Sequence, residues 1–147
     1  MPLPTELVRR LTEEQIAFVK RTGLKAEALE PGHVRLRMPL AGNENHIGSM
    51  YAGALFTLAE IPGGALFLTS FDAERFYPIV KSLNLRFLRP ATGDIRVEAR
   101  LQTDDIERLQ AEADRHGKAD YPLHLQLMAD DGSVVAESEA TYQLRRR

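Results

Sequence analysis

One acid stands alone in the most apolar stretch of the chain. Between Tyr51 and Phe71 the only charged side chain is Glu60, set among Ala54, Leu55, Leu58, Ala59, Ile61, Ala65, Leu66 and Leu68. A carboxylate in such surroundings is costly unless it is paired, hydrogen-bonded or neutralised. Desolvation raises its pKa and makes it a stronger base, and a placed general base contributes about 10²–10⁴ in rate. The stretch reads as a helix. The first turn of a helix carries backbone N–H groups with no internal acceptor, whose partial positive charge attracts a developing oxyanion. One such donor is worth about 10²–10³ in rate. Ala52 offers an N–H at the helix start, two turns before Glu60. Ser49, three residues earlier, is a good N-cap, and its hydroxyl is expected to occupy that N–H until the loop adjusts. Against the chemical reading stands a structural one, in which Glu60 belongs to a closed internal bond network.

The helix that positions these groups is apolar around its circumference, which predicts packing on all sides. Its length also approaches that of a membrane span, but Glu60, Pro62 and the Gly63-Gly64 pair argue against one, and no basic cluster flanks it to set an orientation. Pro62 removes a backbone bond and is expected to kink or split the helix. Before it, Thr5 to Arg21 reads as helix in one or two pieces, with Thr12 and Gln15 forming a capping-box pattern and Gly23 as the stop. The period then changes to two. Leu24, Ala26 and Ala28 alternate with polar residues, and after Pro31-Gly32 so do Val34, Leu36 and Met38, which predicts a hairpin. Pro39 to Gly48 is loop. Beyond the central helix, Tyr77 to Leu88 reads as a strand with Ile79, Lys81, Leu83, Leu85 and Phe87 on one face. Ile95 to Leu101, Tyr121 to Met128 and Val134 to Leu144 alternate likewise. Asp104 to His116 reads as a short helix capped by Asp104 and ended by Gly117, and Asp130-Asp131-Gly132 as a hairpin turn.

Alternating strands have one dry and one wet face, and a long apolar helix needs a surface to cover it. An antiparallel sheet curling round that helix satisfies both. The class is therefore α+β, one domain over residues 1–147. A strip of helix and a sheet edge remain uncovered, so a homodimer is expected, with a tetramer as the alternative. The chain has 147 residues, 44% apolar and 27% charged, ordinary for a globule with a proper core. Its net charge of −2 gives no indication of bulk attraction to nucleic acid or anionic membrane. The absence of cysteine excludes disulfides and thiolate chemistry and fits a cytoplasmic protein. The amino terminus lacks the apolar run of a secretory signal. His33, His116 and His124 have no ligand spacing, so no metal site is expected.

With Asn43-Glu44-Asn45-His46-Ile47-Gly48-Ser49-Met50-Tyr51-Ala52-Gly53 leading into Leu58-Ala59-Glu60, the chain resembles the hotdog fold. Within that fold it is similar to the PaaI-like acyl-CoA thioesterases (phenylacetyl-CoA thioesterase type), and more closely to relatives in which Tyr-Ala-Gly replaces His-Gly-Gly. The end of the strand, Asn84 to Ala91, matches too. The resemblance implies a long central helix wrapped by a curved antiparallel sheet, with an N-terminal helix. It implies hydrolysis of an acyl-CoA or acyl-carrier thioester with no cofactor, coenzyme A being part of the substrate. Glu60 takes the place of the family's acidic nucleophile or base, Ala52 that of the oxyanion N–H, and Asn45 that of the loop Asn that places carbonyl or water. Tyr51, Gly53 and His46 would line the substrate. The hydroxyl that some members place on the third strand falls at Val80, with Ser82 as a nearby substitute.

Other functions are open on the same residues. His46 and Glu60 resemble the His and acid of hotdog dehydratases, without the Pro-Gly pair those enzymes carry at the helix start. A binding module without turnover is the rival from another class, since Tyr51 and Ala52 crowd the site. Arg86 and Arg89 are either solvated charge or contacts to the coenzyme A phosphates, for which Arg suits bidentate binding.

Overall fold

The computed structural model describes residues 3–147. The elements run α1 (Thr5–Glu14), α2 (Ala17–Thr22), β1 (Lys25–Glu30), β2 (His33–Met38), α3 (Ala52–Ser70), β3 (Phe76–Phe87), β4 (Ile95–Arg100), α4 (Thr103–His116), β5 (Lys118–Ala129) and β6 (Val134–Arg146). The six strands form one antiparallel sheet in the order β1-β2-β4-β5-β6-β3, wrapped round α3. This is the hotdog arrangement.

In β2, β4 and β5 the alternation read from sequence is the alternation of burial, whereas in β1 a register shift between Ala26 and Ala28 leaves Leu29 rather than Ala28 buried. In β5, Ala119, Tyr121, Leu123, Leu125 and Leu127 face the helix, while Lys118, Asp120, Pro122, His124 and Gln126 face out. Val34, Leu36 and Met38 of β2 are fully buried against the same core. The β1–β2 turn requires its glycine. Gly32 has φ +76°, and a Cβ there would lie 2.5 Å from the Leu101 carbonyl oxygen.

Several local expectations give way. Thr12 caps nothing: it lies inside α1, buried, with no partner for its hydroxyl, and Ile16 precedes α2 as its N-cap. The N-cap of α4 is Gln102, not Asp104, though Gly117 does end that helix in the left-handed conformation. Pro62 does not split α3, which runs unbroken from Ala52 to Ser70. Two inward tyrosines hold the helix on either side of it. The Tyr142 hydroxyl donates to the Glu60 carbonyl at 2.7 Å, and the Tyr121 hydroxyl to the Gly63 carbonyl at 3.5 Å. The Tyr142 ring lies so close that a Cβ on Gly63 would be 2.0 Å from its Cε1. Gly63→Ala should therefore displace the ring and cost about 1–3 kcal/mol, the usual range for overpacking. Urea unfolding followed by circular dichroism measures it.

A bulge reorders β3. The register against β6 shifts between Val80 and Ser82, so the extra residue Lys81 switches the faces. Val80 lies opposite Tyr142 on the helix side, and Leu83, Leu85 and Phe87 lie opposite Ala140, Ser138 and Ala136 on that same side. Ile79 and Lys81, expected with them, are not: Ile79 lies opposite Gln143, and Lys81 reaches Asp120 at 2.9 Å on the outer face.

Nor is α3 covered all round. Twelve of its residues are buried, but Ala52, Phe56, Glu60, Gly64 and Leu68 are not. These stand four apart, so they form one ridge along the helix. Beside this ridge the edge strand β3 leaves Val80 and Phe87 exposed, followed by Leu88. By length and composition α3 could cross a membrane, yet 67% of that window is buried within the fold.

Candidate functional site

Glu60 sits in the middle of the uncovered ridge, one turn past Phe56 and one turn before Gly64. Its carboxylate is half-buried, and no hydrogen bond or ion pair engages it among the described residues. Desolvation pushes its pKa above the ordinary 4.5. The Tyr142 hydroxyl donates to the backbone carbonyl of Glu60 at 2.7 Å. The Tyr142 phenol is itself pushed up, by burial first and by the Glu60 charge second. The acid is thus held in place through its main chain, while its side chain stays free to act.

The sign of the Glu60 shift has two consequences. A base must be ionised, so activity should rise with pH through a value above 4.5. For stability, a carboxyl whose folded pKa lies above its unfolded one contributes no penalty below the unfolded value. The penalty grows as pH rises to the folded value and is complete above it. Glu60→Gln should therefore be at least as stable as the parent at neutral pH, with the two converging in acid. Melting temperatures across pH check this.

The helix start is built by a loop that bonds to itself and to the body. Asn43 donates to the carbonyls of Thr22 and Pro39, both at 2.8 Å, and its own carbonyl accepts the Tyr51 N–H at 2.8 Å. Met50 N–H reaches the Ala91 carbonyl at 2.8 Å. The N-cap is Tyr51, whose carbonyl accepts from Ala54 and Leu55, and no side chain caps the helix. The expected Ser49 cap does not form, because the Ser49 hydroxyl accepts from Asn45 Nδ2 at 2.9 Å. The N–H groups of Ala52 and Gly53 consequently have no acceptor among the described residues. The Tyr51 ring folds over Gly53, where a Cβ would lie 2.6 Å from Cε2, and still exposes 60% of the residue.

The remaining candidates separate. Asn45 uses its side chain inside the loop: Oδ1 accepts from Ile47 and Ser49, and Nδ2 donates to Ser49. These bonds tie the loop to itself. His46 is exposed and makes no bond to Glu60. Ser82 and Arg86 lie opposite Thr141 and Glu137 on the outer face, away from the Glu60 side, so Ser82 does not replace a hydroxyl at Val80. Arg86 and Arg89 are exposed, and neither forms an ion pair among the described residues. A broad concavity lies elsewhere, on the outer face beside β4 and β5. Several of its charges are paired: Arg96 bonds Glu27 at 2.8 Å, and Glu98 bonds His33 at 3.1 Å. The described residues include no cluster of three His, Cys, Asp or Glu able to hold a metal. Tyr142 went unseen in the sequence. Alternation placed it inward, but nothing in the sequence says which helix carbonyl it meets.

A free base and free helix-start N–H groups on one apolar ridge are the parts needed to attack a carbonyl and hold its oxyanion. Over residues 5–144 the chain matches the family described as a domain of unknown function (DUF4442). It is 73% identical to a solved protein of unknown function from Pseudomonas aeruginosa described as a probable thioesterase, with 100% of this chain and 99% of that one covered and a TM-score of 0.96. A thioesterase from Haemophilus influenzae shares the fold at 16% identity and a TM-score of 0.74, covering 99% of this chain and 93% of that one. A mutant thioesterase from Pseudomonas aeruginosa does so at 18% identity and a TM-score of 0.75, covering 100% and 97%. No curated protein matches the chain. The chain belongs to the DUF4442 family and has the hotdog fold of the thioesterases.

Proposed function

We propose that the protein is a thioesterase that hydrolyses an acyl-CoA thioester in a site shared by two copies of the chain. One observation carries the reading: among the described residues Glu60 is a half-buried carboxylate without a partner, on the same ridge as a helix start whose N–H groups have no acceptor. The similarity to solved proteins described as thioesterases supports it.

Distance supports two copies. Ala52 and Glu60 are eight residues apart, about 12 Å of helix at 1.5 Å per residue, and Phe56 stands between them. A carbonyl under attack lies about 3–3.5 Å from the attacking atom, with its oxygen about 3 Å from the donor. Both groups of one chain do not reach it comfortably. An antiparallel copy, related by a two-fold axis near Phe56, sets the partner subunit's Ala52 beside Glu60 and gives two equal sites. The same contact covers the ridge around Phe56 and the exposed Val80, Phe87 and Leu88.

In this site the helix start of one chain receives the thioester oxygen. Glu60 of the other removes a proton from water, which adds to the carbonyl, or attacks the carbonyl itself to give a mixed anhydride that water then hydrolyses. The C–O bond forms, the C–S bond breaks, and the thiolate leaves with a proton to give coenzyme A and the free acid. Arg89, exposed just past the end of β3, is available to the phosphates of coenzyme A, whereas Arg86 points to the outer face. A second reading, acyl-CoA binding without turnover, draws on the Tyr51 ring folded over Gly53. A thiol-release screen over acyl-CoAs of different sizes separates the two. Release by the wild type supports hydrolysis. Binding across the panel with no release supports the second reading.

A further inference from the structure

The two glycines after Pro62 differ in what they are for. Gly63 is demanded by the Tyr142 ring, whereas a Cβ on Gly64 would meet nothing within 4 Å. Gly64 has no positive φ, so its backbone conformation does not call for glycine either. A glycine inside a helix destabilises it relative to alanine. At Gly64 neither packing nor conformation within the fold offsets that cost.

Its place is informative. Gly64 stands one turn past Glu60 on the uncovered ridge, and Leu68 follows one turn later, half-buried against the core. No polar side chain interrupts the ridge from Gly64 to Leu68. Just beyond it the Ser70 hydroxyl is occupied by the Gly32 N–H at 2.8 Å. From Glu60 to Leu68 the helix rises about 12 Å. An extended acyl chain of roughly eight to ten carbons, advancing a little less than each bond length, covers that distance.

We propose that Gly64 is a specificity-determining residue: the acyl chain lies along α3 from Glu60 over Gly64 to Leu68, and the substrates are straight aliphatic acyl thioesters long enough to pass it. This rests on the thioesterase reading for its chemistry, but the placement of the chain can fail separately.

The test compares the wild type with Gly64→Ala and Gly64→Leu on butyryl-, hexanoyl- and decanoyl-CoA. Gly64→Leu should lower kcat/KM for decanoyl-CoA by about tenfold or more, within the range by which a pocket discriminates small apolar changes, with a smaller loss for hexanoyl-CoA and the smallest for butyryl-CoA. Gly64→Ala should fold at least as well as the wild type and show a weaker loss in the same order. An equal loss for all three lengths, or a change of oligomeric mass in either variant, overturns the proposal and assigns Gly64 to packing between copies. Should the wild type hydrolyse none of them yet release thiol from a ring-bearing acyl-CoA, this proposal fails and the thioesterase reading stands; should it release thiol from no acyl-CoA at all, the thioesterase reading fails. The placement is then read from calorimetric binding of non-hydrolysable alkyl-CoA thioethers. Affinity that rises with chain length in the wild type but not in Gly64→Leu sustains it, and equal affinities reject it.

Discussion

Glu60→Gln is expected to lower kcat/KM for thiol release by about 10²–10⁴, the contribution of a placed general base, and by more if the carboxylate is the nucleophile. The substitution keeps shape and removes only the charge and the basic oxygen. Because no side chain bonds the Glu60 carboxylate among the described residues, no partner is orphaned by the change. The fold should persist, held at this point by the Tyr142 hydroxyl on the main-chain carbonyl, which the substitution leaves in place. Loss of activity in a folded protein is therefore a statement about chemistry. Activity undiminished in that variant removes Glu60 from the mechanism.

Ala52→Pro is expected to lower kcat by about 10²–10³, the usual worth of one oxyanion donor, with a smaller change in KM. Ala52 is the first helical residue, the one position in a helix where proline is favoured, since its N–H has no internal partner. The preceding residue suits it as well. Tyr51 has φ −61° and ψ 141°, the extended region that a residue before proline adopts. The substitution thus deletes a hydrogen-bond donor and little else. Ala52→Gly keeps the N–H and serves as the control, with activity close to that of the wild type. An equal fall in both variants would indicate a disturbed helix start rather than a lost donor.

Much of the fold was legible because period and punctuation agree. β5 shows its buried face in Tyr121, Leu123, Leu125 and Leu127, and Gly117 and Gly132 mark real turns at positive φ. What escaped has physical reasons. The bulge at Lys81 adds one residue without changing composition, yet it decides that Val80 rather than Ser82 faces the helix. Ser49 has the chemistry of a cap, but Asn45 takes its hydroxyl through a contact inside the loop that no propensity encodes. Pro62 reads as a break because the reading counts a missing bond. It does not count the tyrosine hydroxyls that two strands bring to the carbonyls on either side.

The ridge itself was the hardest to see. Phe56 and Leu68 are as apolar as the buried residues around them, so this uncovered surface has the composition of a core. Only burial tells them apart: Phe56 is 45% exposed, while Leu55, Leu58 and Ala59 are nearly or wholly buried. Glu60 was legible as an acid in the wrong surroundings, and the structure adds that its side chain is unpaired and lies on the face left uncovered.

The sharing of the site between copies is tested most directly by mixing two inactive proteins. Glu60→Gln and Ala52→Pro are unfolded together, refolded in equal amounts and assayed for thiol release. In a mixed dimer one site takes Glu60 from one chain and the Ala52 N–H from the other, so it is whole, while the second site lacks both. With random pairing, half the dimers are mixed, and activity should recover to about a quarter of the wild type. A mixture no more active than its two components would contradict the account.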